Sequence, residues 1–195
     1  MRRRTIPLAL GACLLTVAAP MMVRAADPVT EPDPAILAVR DATEAYRDQA
    51  AATEAGYGIL AGTPLESCID QPDAGGMGFH LVNGDLVGDA VVDAATPEAL
   101  LYISDAIGQP ELVGVEYVVF AEAWDATSDE PPVVLDQEMH LVDAPNRYEL
   151  PAFYALHAWV WRSNPEGVFT DFNPTVSCAV IEPPTLASSG THASH

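Results

Sequence analysis

From Pro34 to Tyr57 the chain reads PAILAVRDATEAYRDQAAATEAGY. Ile36, Val39, Thr43, Tyr46, Ala50, Thr53 and Tyr57 recur at three- and four-residue spacing against a background of Ala, Asp, Glu and Arg. That period predicts one amphipathic helix running to about Tyr57, with Gly56 and Gly58 ending it. Beyond Cys68 the period changes to two. MGFHLVN (77–83), ALLYI (99–103), LVGVEYVVF (112–120), VVLDQEMHLV (133–142) and FYALHAWVW (153–161) read as strands separated by Gly, Pro, Asp and Asn clusters. Asn164-Pro165-Glu166-Gly167 and Phe172-Asn173-Pro174 are turn chemistry. The expected fold is α+β: an N-terminal helix, then a curved, barrel-like antiparallel sheet.

Alternation sorts the strand side chains onto two faces. In FYALHAWVW, Phe153, Ala155, His157, Trp159 and Trp161 share one face, and Tyr154, Leu156, Ala158 and Val160 the other. Both faces are apolar, which predicts an interior strand with His157 covered. In LVGVEYVVF, Gly114, Glu116, Val118 and Phe120 lie opposite Val113, Val115, Tyr117 and Val119, so Glu116 is a carboxylate in a strand buried on both sides. In MGFHLVN, His80 falls with Gly78 and Val82, opposite Met77, Phe79 and Leu81.

The first residues change the charge balance. Three arginines precede an apolar stretch from Ile6 to Val23 that ends in small residues, the layout of a secretory signal with Val23-Arg24-Ala25 as cleavage box. Arg3-Arg4 also raises twin-arginine export, and Leu10-Gly11-Ala12-Cys13 resembles a lipidation box, although the apolar run continues long past it. Pro7, Pro20 and the acidic segment that follows argue against a lasting membrane anchor. Of the eight basic residues, four lie within 1–25, leaving Arg40, Arg47, Arg147 and Arg162; no position is lysine. Against all 28 acidic residues this gives a mature net charge of −24. Such a surface repels nucleic acid and anionic lipid and reads as a solvated acidic coat.

With Cys13 removed, Cys68 and Cys178 remain as an even pair, which in an exported chain reads as one structural disulfide. The domain limits follow: signal 1–25, Pro/acid leader 26–34, one α+β domain 35–181, and a disordered tail 182–195. The expected localisation is periplasmic or secreted.

Candidate chemistry rests on the buried polar positions. An isolated buried carboxylate must be paired, hydrogen-bonded or protonated. With no lysine and few arginines, Glu116 is left to meet a histidine, a hydroxyl, an indole N–H or a metal. His80, Glu116 and His157, one from each of three strands, have the composition of a facial triad suited to a single divalent ion, iron, zinc or copper. Trp159, Trp161, Tyr102 and Glu98 are candidates to line a pocket around it. His140 shares a face with Glu138 and suits either an extra ligand or a solvated edge strand; His192 and His195 fall in the tail. Serine-nucleophile, phosphate-loop, Walker and EF-hand motifs are missing, which argues against nucleotide binding and ordinary hydrolase chemistry. Three functions fit: a domain binding a metal ion or small ligand at His80, Glu116 and His157, a metal-dependent or acid–base enzyme using the same pocket, or a structural module whose histidines satisfy its core.

The runs MGFHLVN, PEALLY, LVGVEYVV and YALHAWVWRSNPEGVFTDFNPTVSC together resemble a family of exported bacterial proteins with the pattern LHxWxW…NPxGxF…NPxVSC. The resemblance spans about residues 35–180. It implies an extracytoplasmic domain and transfers no catalytic residue.

Overall fold

Asp33 opens the first helix. Its carboxylate accepts from the Ala35 N–H at 2.9 Å, and Pro34 enters the first turn with φ already set. A computed structural model describes residues 33–105 and 107–178. The expected signal peptide, Cys13, most of the leader and the tail lie outside the described residues. Helix α1 (Pro34–Thr43) passes into a 3₁₀ turn at Glu44–Arg47. Asp48 then turns extended and caps a second helix, α2 (Gln49–Glu54), through the Ala50 N–H. The single helix expected to Tyr57 is therefore two, and the break resets the phase of the apolar stripe. Val39 and Thr43 are buried as the period requires, and so is Tyr57, but within α2 the buried residue is Ala52, while Ala50 and Thr53 face solvent.

The strands are β1 (Ile69–Gln71), β2 (Gly75–Val82), β3 (Ala99–Ser104), β4 (Pro110–Phe120), β5 (Val133–Val134), β6 (Gln137–Glu138), β7 (His140–Val142) and β8 (Phe153–Ala158). Short helices α3 (Gly84–Gly88) and α4 (Ala121–Asp125) follow β2 and β4. Six strands form one antiparallel sheet in the order β1-β2-β3-β4-β8-β7, curled into a half-barrel, and β5 and β6 form a separate pair. The α+β architecture with a curved antiparallel sheet is thus the observed one.

Three local expectations change. VVLDQEMHLV is not one strand: Leu135 and Asp136 take φ of 53° and 58°, the two left-handed corners of a tight hairpin, so β5 folds onto β6 and only β7 joins the main sheet. FYALHAWVW stops pairing at Ala158; the Trp159 N–H turns to the Val168 carbonyl, and the Trp161 and Arg162 N–H groups both reach the Val113 carbonyl. Gly78 takes a φ of 92° beside the place where β1 slips register on β2, and a Cβ there would sit 2.5 Å from the Tyr102 carbonyl oxygen. The kink separates Met77 from Phe79 and Leu81: Met77 packs with Leu65 and Ile69 instead.

Phe79, Leu81, Leu100, Tyr102, Val115, Tyr117, Val119 and Leu156 point to one side of the sheet and form the main core with Val39, Ala52 and Tyr57. Polar ties hold the helical segment there. The Tyr102 hydroxyl donates to the Tyr46 carbonyl, and Trp161 Nε1 donates to Thr43 Oγ1 at 3.0 Å. The guanidinium carbons of Arg40 and Arg47 lie 4.9 and 5.3 Å from the Trp161 ring centroid. At the other end, Cys68 and Cys178 are bonded, and Gly76 and Asn173 exchange backbone hydrogen bonds of 3.2 and 3.0 Å. The last described segment is thereby clamped to the start of β2.

Candidate metal centre

His80 stands on β2, Glu116 on β4 and His157 on β8. Glu116 and His157 are direct cross-strand partners, but β3 separates β2 from β4. In a flat sheet three inter-strand steps would hold β2 and β8 about 14 Å apart. Yet His80 Nε2 lies 3.5 Å from His157 Nε2. Curling closes the gap, and small residues permit it. Ala99, in register with both Val82 and Glu116, fills the inside of the curve with one methyl. At Gly114 a Cβ would lie 2.8 Å from the Ala158 carbonyl oxygen, so only glycine lets β8 approach this closely.

Glu116 Oε2 lies 3.4 Å from His80 Nε2, and Oε1 lies 3.8 Å from His157 Nε2. The two rings meet edge to face, 5.7 Å between centroids and 90° between planes. These separations exceed those of ordinary hydrogen bonds, about 2.7–3.2 Å. They match instead the roughly 3.4 Å that separates two ligand atoms bound about 2.0–2.1 Å from a tetrahedral zinc. One ligand atom from each residue lies within 4.8 Å of the others, so the group can hold a metal ion. All three are buried, at 2%, 8% and 3% exposure for His80, Glu116 and His157.

Burial pushes the His80 pKa down to about 3, with the neighbouring His157 acting in the same direction. His80 is therefore a neutral imidazole with a lone pair to offer. Burial also raises the Glu116 carboxyl above the usual range, against the pull of His157. At His157 burial favours the neutral ring, but the carboxylates of Glu116 and Asp171 outweigh it and leave the pKa above normal. His157 Nδ1 lies 3.4 Å from Asp171 Oδ1, an ion-pair contact without hydrogen-bond alignment. Contact with His157 is in turn what chiefly holds Asp171 below the ordinary aspartate range. A carboxylate hydrogen-bonded to the outer nitrogen fixes the tautomer and tilt of a metal-binding histidine. Asp171 stands on that side of His157, whereas His80 Nδ1 has no hydrogen-bond partner among the described residues.

The four described arginines are engaged elsewhere. Arg40 and Arg47 lie over Trp161, Arg147 lies 6.0 Å from the Tyr148 ring centroid, and Arg162 pairs with Glu111 at 3.7 Å and donates to Thr175. Among the described residues the ionic partners of Glu116 are the two imidazoles.

No family model, curated protein or solved structure matches this chain.

His80 and Glu116 face an apolar cavity of about 60 Å³, lined also by Leu60, Leu65, Val82, Val87, Val118, Phe120, Tyr148, Leu150 and Phe153. None of the four residues expected to line a pocket is among them. Glu98 and Tyr102 alternate onto the opposite face of β3 from Leu101, the register partner of His80. Tyr102 lies in the main core, and the Glu98 carboxylate accepts the Val118 N–H at 3.0 Å. Trp159, freed by the early end of β8, packs with Leu101, Ile103, Val113 and Val176, and Trp161 turns to the helices. His140 is on the edge strand, 48% exposed at its side chain, and reaches Asp171 Oδ2 at 3.9 Å. His192 and His195 lie outside the described residues.

Asp171 is the residue that periodicity missed. It occupies a turn, and its position depends on the clamp at Asn173, whose side chain accepts from Thr175 and donates to the Ser163 carbonyl. The available signal was an acid set between Phe169 and Phe172 in a lysine-free chain. The Cys68–Cys178 bond points to an oxidising, extracellular environment. Among the described residues no helix is long and apolar enough to cross a membrane.

Proposed function

We propose that the protein is a metal-binding domain in which His80 Nε2, His157 Nε2 and the Glu116 carboxylate hold one divalent ion. Two imidazoles and one carboxylate suit zinc and iron(II) best, with copper next. The observation that carries the reading is the mutual spacing of 3.4–3.8 Å among the three groups in a buried site. The engagement of Arg40, Arg47, Arg147 and Arg162 away from Glu116 among the described residues and the carboxylate behind His157 support it. Three protein ligands leave a position for a small molecule, and an ion held there acts on that molecule as a Lewis acid. We place the domain outside the cytoplasm, in keeping with its disulfide.

Elemental analysis of untagged protein recovered from the periplasm tests this, alongside His157→Ala. The expected result is close to one equivalent of metal in the wild type and less than a tenth of that in the variant. Metal-free wild type, even after incubation with zinc, iron(II) and copper, would overturn the proposal and leave a histidine–glutamate cluster that only satisfies the core.

A further inference from the structure

The cavity beside the triad restricts what can enter it. Of its lining residues only His80, Glu116 and Tyr148 carry polar groups; the remainder is hydrocarbon. A ligand with several polar atoms would leave most of them unpaired, and each such group is costly to bury. The volume of about 60 Å³ admits roughly four to six groups of water or methylene size. Val82, Val118, Phe120 and Tyr148 are half-buried, so the cavity reaches solvent past them.

Charge narrows the class further. A divalent ion beside the Glu116 carboxylate and neutral imidazoles leaves one positive charge on the cavity side. The part-exposed Asp171 carboxylate faces it only from behind His157, so one more negative charge at the ion itself is favoured. The Tyr148 hydroxyl directs its proton at Met77 Sδ, 3.9 Å away, a weak acceptor that an anion would outbid. Burial holds the Tyr148 pKa up at about 12, so it stays a donor at neutral pH.

On the reading that the triad holds a divalent ion, we infer that the cavity takes a short-chain apolar monoanion. Its carboxylate or thiolate occupies the remaining metal position, and its alkyl chain lies against Leu65, Val87, Val118 and Phe153. The chain length that fits is about three to five carbons, because a longer tail exceeds the volume and a second charged end would be buried without a partner.

Cobalt(II) provides the probe, since its visible bands report both loading and a change of ligand. The protein should take up one equivalent of cobalt with tetrahedral-type bands, and butyrate should shift those bands saturably. Acetate should bind at least tenfold more weakly, as each buried methylene contributes about fourfold. Succinate should be weaker still. Leu65→Trp, which fills the cavity, should keep the cobalt bands and lose the butyrate response; the wild-type anion series decides the matter even if that variant does not fold. Absence of cobalt bands in the wild type would remove the metal reading and this one with it. Cobalt bands that ignore butyrate, or that respond alike to butyrate, acetate and succinate, would overturn the cavity assignment and leave the metal reading standing. Equal calorimetric affinity of metal-free and loaded protein for butyrate would overturn the anchoring by the ion.

Discussion

Glu98 and Glu116 are both buried carboxylates, and each meets that condition differently. Glu116 shares its charge with two imidazoles. Glu98 is 1% exposed, accepts the Val118 N–H, and is pushed up to about 8, chiefly by burial. Because its folded pKa lies above the ordinary 4.5, its contribution to stability is whole below about pH 4.5 and drains away as pH rises towards 8. Glu98→Gln keeps an acceptor for Val118 and does not titrate. Its melting temperature should match the wild type at pH 4 and exceed it by several degrees at pH 8, as thermal scans across that range would show; equal values at both ends would mean that Glu98 ionises without penalty. Residues of this kind were legible in the sequence, since a polar side chain in a strand apolar on both faces stands out. His80, Glu116 and His157 were found that way. Glu98 was found too, but its role was misplaced, because it precedes β3 and its direction depends on which strand edge it caps.

At the scale of elements, alternation located the strands but not their ends. Nothing in Leu135-Asp136 announces a hairpin as Asn-Gly would, so period two ran through it unbroken. Asp48 reads equally well as a helix-surface acid and as the cap it is. The curl of the sheet was legible only as an expectation of curvature; what permits it is close approach of backbones, at Gly78 and Gly114 among others. Gly114→Ala brings a methyl 2.8 Å from the Ala158 carbonyl and forces β4 and β8 apart. Chemical denaturation should show a loss of about 1–3 kcal/mol, and metal affinity should fall with it because Glu116 and His157 sit on the displaced strands. A variant as stable and as avid as the wild type would show that the half-barrel has slack at this point.

For the whole molecule, the disulfide and the Gly76–Asn173 bridge hold the segment that delivers Asp171 to His157. The bond closes a span of 110 residues, for which the chain-entropy model gives roughly 4–5 kcal/mol. Replacing Cys68 and Cys178 together by serine should cost about that much in denaturant titrations; a loss below about 1 kcal/mol would assign the clamp to Asn173 instead. The placement of the three ligands carries a further consequence. They come from β2, β4 and β8, with whole elements between them and a sequence separation of 77 between the two histidines. Among the described residues the three are too far apart in sequence to form a chelating loop, so the candidate site exists only once the sheet is complete. On the proposed reading, capture is the last act of folding rather than its trigger, and the ion on board is chosen by the supply wherever the sheet is completed.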